Sequence, residues 1–297
     1  MSESSEAVAV HRRYKLSFFK ILRSEWIKLF SLRSSWWLLV LAVVVDIGVC
    51  AAIAAFFALT ETSLADVPDI QGMPTDQRGM LGMWSQSVTM GCGFFGQLIF
   101  IILSVLVITN EYSSGMIRST MTAAPRRARV LIAKMVVIVF TCILVFAMSV
   151  AGGWAVGYLI LGDSVMVDMT LTSDVSLRIL GGFVLEMVLV SLFCFGLGAW
   201  IRSTAGAIGV AIGIIVILHN AMQIVTTMLT VGPAPTGWRK WLVEGSQFLP
   251  TAAGSLITYP EIPSTSLLSA WEGIGVLGGW TLLALVIAFI ATARRDV

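Results

Sequence analysis

Charge is scarce in this chain, and histidine more so. Of 297 residues, 12% are Asp, Glu, Lys or Arg, two are His, and 57% are hydrophobic. An ordinary soluble domain carries about 25% charged residues, because its surface has to be covered with polar groups. The shortage excludes a soluble globular fold. With two histidines, no H-E-x-x-H and no paired-cysteine spacing, a zinc site has no ligand set. No G-x-x-x-x-G-K-[ST] segment occurs, so the chain has no phosphate loop for ATP. No G-x-S-x-G elbow is present, which leaves His219 with Ser149 or Ser191 as a weak protease dyad and a structural histidine as the better reading. Cys50, Cys92, Cys142 and Cys194 all fall within apolar runs, and packing is their expected role.

Long apolar runs are abundant. A membrane-crossing helix needs about 20 mostly apolar residues to cover about 30 Å of hydrocarbon. Six stretches meet that requirement: Trp36–Leu59, Gly91–Thr109, Val130–Leu161, Ile179–Ile201, Ala205–Thr230 and Gly273–Ala293. The fold class is therefore an all-α integral membrane protein with six transmembrane helices. The first run is too long for a signal h-region and is expected to stay uncleaved. Residues 1–34 form an N-terminal cytoplasmic segment, and 35–297 the six-helix domain. With the N-terminus inside, fifteen Lys and Arg lie on the inner side and four on the outer, namely Arg78, Arg178, Arg239 and Lys240. This bias places both termini in the cytoplasm.

Between Leu16 and Arg33, Phe18, Leu22, Trp26 and Leu29 share one helical face, and Lys15, Lys20, Arg23, Lys28 and Arg33 fill much of the rest. Such a basic amphipathic helix suits the headgroup plane of the bilayer; a soluble helix packed on a partner is the alternative. Polar groups also occur inside the runs. Asp46 lies about ten residues, near 15 Å, into the first, and Glu186 lies inside the fourth. In the fifth, His219, Asn220, Gln223, Thr226 and Thr227 fall on one helical stripe. Polar groups in hydrocarbon need partners, so this stripe faces protein or water. Two readings follow: hydrogen bonding between helices, or the lining of a substrate path. Small-residue spacings, Gly153-x-x-x-Gly157 and Gly209-x-x-x-Gly213, allow close helix approach. Before the last run, Val231–Glu272 is apolar but cut by Pro233, Pro235, Pro250, Pro260 and Pro263. Its pieces are too short to span and suit interfacial or re-entrant helices.

One polar island separates the second and third runs. It begins Asn110-Glu111-Tyr112-Ser113-Ser114-Gly115-Met116-Ile117-Arg118 and continues through Pro125-Arg126-Arg127 to Lys134. Gly115 can break a helix and Pro125 can start the next. A solvated positive-inside loop would explain the arginines, but not Glu111 followed by Gly115. This pattern resembles the region after the second span of ABC-2-type permeases, the membrane subunits of ATP-driven exporters. The likeness extends to the whole layout: amphipathic N-terminal helix, six spans, and a broken outer segment before the last.

The resemblance implies a coupling segment on which a separate ATPase chain pushes, with Glu111, Tyr112, Gly115, Arg118 and Arg126 shaping or flanking the contact. It also implies two ATPase subunits that bind ATP and Mg, a second permease copy, and a bacterial plasma membrane as the setting. No catalytic residue, cofactor or nucleic-acid partner is expected of this chain. Asp46, Glu186, His219, Asn220, Gln223 and Thr227 are the expected lining of the path, and an amphipathic or hydrophobic compound the expected substrate. Two alternatives stand beside this reading. One is an ion-coupled carrier using Asp46 and Glu186; the other is a membrane scaffold or sensor subunit that transports nothing.

Overall fold

The computed structural model describes residues 18–64, 95–113, 115, 127–161, 174–231, 235–258 and 267–294. Most of these residues are helical, with no strand among them. Helix α1 (Phe18–Ser31) precedes α2 (Arg33–Leu64), α3 (Phe95–Ser113), α4 (Arg127–Leu161) and α5 (Asp174–Ile201). The fifth crossing is composite: α6 (Thr204–Ile212), a π-helical turn at Gly213–Leu218, and α7 (His219–Thr230). Two short helices, α8 (Trp238–Ser246) and α9 (Pro250–Ser255), lead to α10 (Ala270–Arg294). Six of these units are long and apolar enough to cross a membrane.

The described part of the second crossing, Phe95–Ser113, continues past Thr109, where the apolar pattern ends it; residues 91–94 lie outside the described residues. Asn110 to Ser113 thus form the last turn of α3 rather than the start of a loop. A charged turn can stay helical at this depth because neighbouring helices supply its counter-charges, which hydropathy alone does not register. One cysteine also departs from expectation. Cys142 and Cys194 are free and buried, but Cys50 is disulfide-bonded and is not a simple packing residue. Whether two thiols meet depends on the tertiary approach of their helices, which spacing along one run does not reveal. Cys92 lies outside the described residues.

Packing follows the apolar faces. Leu39 and Ala42 of α2 join Val137, Cys142 and Phe146 of α4 and Phe100 and Leu103 of α3 in one buried cluster. A second cluster unites α3, α5, α6 and α10 around Val105, Cys194, Ala207 and Leu277. Helices α5 and α10 approach so closely at Gly196 that a methyl there would lie 2.9 Å from the backbone carbon of Ala284. Outward, Trp36, Trp37, Val44, Leu282 and Ile290 are exposed, as a lipid-facing shell requires.

The segment before the last crossing docks on the π turn. Such a turn shifts hydrogen bonding from i→i+4 toward i→i+5 and perturbs the regular carbonyl ladder. The carbonyl of Ile215 accepts a bond from Thr251 Oγ1 of α9 at 3.0 Å. Pro250, Thr251, Ala253 and Gly254 are buried, whereas Trp238 and Trp241 of α8 are exposed. Helix α9 is a wedge set into the bundle, and α8 lies on its outside.

The close approach at Gly196 gives a direct check. Overfilling a packed core costs about 1–3 kcal/mol, so Gly196→Ala should lower the melting temperature of the detergent-purified protein. Gly48→Ala, at a position with nothing within 4 Å, should leave it unchanged or raise it. Equal melting of the two variants would contradict the α5–α10 contact.

Candidate functional site

The start of the polar island is tied to the bundle by a knot of four charges. Glu111, in the last turn of α3, is 6% exposed. Its Oε1 accepts from Lys28 Nζ of α1 at 2.9 Å and from Lys134 Nζ of α4 at 2.8 Å. Both lysines also donate to Glu25 of α1, Lys28 at 2.7 Å to Oε1 and Lys134 at 2.6 Å to Oε2. Two carboxylates and two ammonium groups close a neutral ring across three helices. A carboxylate at the C-terminal end of a helix faces the negative pole of its dipole, and the two lysines offset that penalty here.

Each member sits where its helix delivers it. Glu25 lies four residues from both Ile21 and Leu29, on the buried face of α1. Lys134 follows Val130 by one turn, and both are buried. Burial alone would lower the Lys28 pKa, but hydrogen bonds and charge from Glu25 and Glu111 outweigh it and hold the group above the ordinary lysine value. With the folded-state value raised, the contribution of Lys28 is complete at neutral pH and is lost only as pH rises through the elevated pKa.

The next residue makes a second tie. The Tyr112 ring lies under the Arg202 guanidinium, 5.0 Å from its carbon, a cation–π geometry. Arg202 also donates from Nη2 to the Ala291 carbonyl near the end of α10, at 3.3 Å. It occupies the turn between α5 and α6 with a φ of 60°, a left-handed conformation uncommon for a non-glycine residue. Gly115 has a φ of 70°, and its N–H donates to the Tyr112 carbonyl at 3.3 Å, turning the chain just beyond the end of α3. Arg118 and Arg126 lie outside the described residues.

The residues expected to line a path separate into two settings. Asp46 is 1% exposed and accepts from the Gly96 N–H at 2.8 Å, which ties α2 to α3. Glu186 is 3% exposed and sits beside Gln97 and against Gly254 of α9. Both are enclosed within this chain's own bundle. Asn220, Gln223 and Thr227, by contrast, are exposed on the outside of α7, with His219 half-buried beside them. Asn220 donates to the Val216 carbonyl and Thr227 to that of Gln223, both within the same helix. The stripe therefore satisfies part of its hydrogen bonding along its own backbone, and among the described residues its side chains make no bond to another helix. Only 11% of the apolar stretch of this crossing is buried, against 56% for the fourth.

Sequence reading passed over Glu25 and gave Lys28 and Lys134 no role at the site. The signal was present: a carboxylate at the apolar register of α1, and a lysine one turn inside the third apolar run. In an amphipathic helix full of lysines, a single glutamate reads as charge balance. One partner, Lys28, is three residues along the same helix, but the other, Lys134, is 109 residues away, and only the fold brings it to Glu25.

Removing one partner from a buried ion pair costs about 3–5 kcal/mol, because the remaining charge is left uncompensated. Lys134→Met should therefore sharply reduce the monodisperse yield and the melting temperature in detergent, while Lys134→Arg should retain most of both. A Lys134→Met protein that melts like wild type would show that the ring carries no such strain.

A family model described as ABC-2 family transporter protein matches residues 19–297. No curated protein matches the chain. The match takes in α1, all six crossings and the wedge between the fifth and sixth. Permeases of this family are typically non-catalytic membrane subunits associated with ABC ATPases. With six membrane-length helices and a family match over nearly its whole length, the chain belongs to the ABC-2 transporter family and is a multi-pass permease subunit of an ABC transporter.

Proposed function

We propose that the chain is the membrane half of an ATP-driven exporter for an amphipathic or hydrophobic compound, such as a drug, a peptide antibiotic or a lipid. Two copies assemble with two ATPase subunits in a bacterial plasma membrane, with both termini cytoplasmic. Residues 114–126 form the surface on which an ATPase pushes, and Arg118 and Arg126 supply its contact charges.

The observation that carries this reading is the double anchorage at the end of α3. Glu111 is bonded to α1 and α4, and Tyr112 is held by the α5–α6 turn and, through Arg202, by the end of α10. Force applied just beyond Ser113 thus reaches α1, α4, the α5–α6 turn and α10 through two adjacent residues. Glu111 in this scheme does not touch the ATPase. Its carboxylate is buried, and it passes the displacement inward through its lysines.

A second copy is supported by the fifth crossing. Its outer half exposes amide and hydroxyl groups at membrane depth, and Gly209 and Gly213 have nothing within 4 Å. Facing a symmetry-related copy, the small residues allow close approach and the stripe borders a shared path. Asp46 and Glu186 then shape that path from behind rather than lining it, which weakens the ion-coupled alternative.

Replacing residues 114–126 with a Gly/Ser linker should abolish copurification of the ATPase, whereas Tyr112→Ala should keep the complex and lower transport per ATP hydrolysed about tenfold, since a desolvated cation–π contact is worth up to about 2 kcal/mol. Transport that continues without ATP and collapses with the proton gradient would replace this reading with the carrier. Oxidation of a Thr227→Cys protein in native membranes should yield a covalent dimer. Only monomer at that position, with dimer from a cysteine elsewhere on the surface, would move the interface away from α7.

A further inference from the structure

Beside the ionic ring lies a cavity of about 450 Å3, where α1 meets the start of α2, the end of α3 and the early turns of α4. Its size falls within the roughly 300–1,000 Å3 of small-molecule sites. Leu29, Leu103, Leu106 and Val137 give it an apolar wall, and Lys28 stands among the polar residues of the other. From Asn110 back to Leu103 the lining follows α3 for about 10 Å, at about 1.5 Å per residue. Folded interiors are packed as densely as organic crystals, so an apolar hollow of this volume beside hydrocarbon calls for an occupant. Water is a poor one, because a buried water needs roughly two to four polar partners.

The ring decides which charge the occupant carries. The side chains of Glu25, Glu111 and Lys134 are 4%, 8% and 3% exposed, whereas that of Lys28 is 32% exposed. What the ring shows on its open side is therefore its cation. An ammonium has three donors, and Lys28 spends two, on Glu25 and Glu111. Those carboxylates hold the group above the ordinary lysine value, so it stays charged at neutral pH and somewhat above. By the tetrahedral shape of the group, the third N–H points away from both carboxylates, and no other acceptor meets it among the described residues. A donor with a full charge and no acceptor is a place for an oxygen anion.

A small inorganic anion would gain that one N–H and leave the leucine wall uncovered. The other cation on the wall, Lys134, is buried and bonded to both carboxylates, so it adds little to hold such an ion. A long-chain amine would cover the leucines but bring its charge against Lys28. One donor beside one apolar strip matches one acidic head on one chain. We propose that the cavity binds a long-chain fatty acid as its carboxylate, with the head on Lys28 Nζ and the chain along Leu106 and Leu103. Bound there, the acid touches α1 and α3 next to the anchor of the segment on which an ATPase is proposed to push. The site depends neither on that push nor on which compound is exported.

The test uses the full-length protein in phosphatidylcholine nanodiscs carrying a trace of palmitic acid with a diazirine in its chain. The pH is mildly alkaline, where the acid is ionised and Lys28 is still an ammonium. After irradiation, adducts are located by peptide mass spectrometry, with the exposed Leu282 and Val286 of α10 as the lipid-facing background. The acid should label Leu103 and Leu106 above that background, and the matching alcohol about tenfold less, the worth of one charge-assisted hydrogen bond. Leu106→Trp, which fills the cavity and leaves every charge in place, should bring labelling of Leu103 and Leu29 down to the background. Equal labelling by acid and alcohol would overturn the proposal, as would labelling of Leu103 that survives Leu106→Trp. Adducts confined to α7 would overturn it too, because the acid would then lie on the transport path. So would displacement by diacyl phosphatidylglycerol at concentrations where unlabelled palmitate does not compete, which would give the cavity to a two-chain lipid. Should Leu106→Trp fail to fold, the ratio of acid to alcohol labelling on the wild-type protein decides alone. None of these outcomes bears on copurification of the ATPase, so the transport reading is judged separately.

Discussion

The end of this bundle where α3 stops depends on one arrangement: two carboxylates and two ammonium groups, three of them buried and Lys28 partly exposed, closed into a ring. Burying any one of them alone would be costly enough to expel it or unfold its surroundings. Closed on each other they cancel, and the ring forces α1, α3 and α4 into one register. Apolar packing alone would not do this, since leucine against leucine tolerates sliding and rotation, and lipid competes for the same faces. Directional hydrogen bonds between ammonium and carboxylate remove that freedom.

A different type of contact secures the other half. Helices α5, α6 and α10 meet α3 through apolar packing and, at its end, through the Tyr112 ring under the Arg202 guanidinium. The two ties have different tolerances. The ring is short and geometrically strict, whereas a cation over an aromatic face can shift laterally with modest loss. A transporter that has to rock one set of helices against another is well served by one stiff and one compliant attachment at neighbouring residues.

Much of the architecture was legible in the sequence because bilayer thickness imposes a length that apolar runs must meet. Six crossings and a broken segment before the last follow from that constraint. What was not legible depended on partners distant in the chain. Asn110–Ser113 reads as loop because it is polar, yet it is helical because Lys28 and Lys134 shelter Glu111. Glu25 is concealed among the basic residues of α1. Cys50 looks like any small apolar residue until a second sulfur meets it. The polar stripe of α7 was readable as a stripe, but its partial satisfaction by its own backbone carbonyls needed the actual rotamers of Asn220 and Thr227.

The π turn at Gly213–Leu218 sets the angular phase of everything that follows it. An inserted residue rotates the succeeding helix by about 100° relative to an uninterrupted α-helix, since each residue advances a turn by 1/3.6. An unbroken fifth crossing of the same sequence would present His219, Asn220 and Gln223 on a face more than a quarter-turn away. The direction in which this chain displays its polar groups is thus fixed by a phase slip halfway along the helix, not by the apolar pattern of the helix itself. Thr251, bonded to the Ile215 carbonyl within that turn, makes the α9 wedge the keeper of the phase.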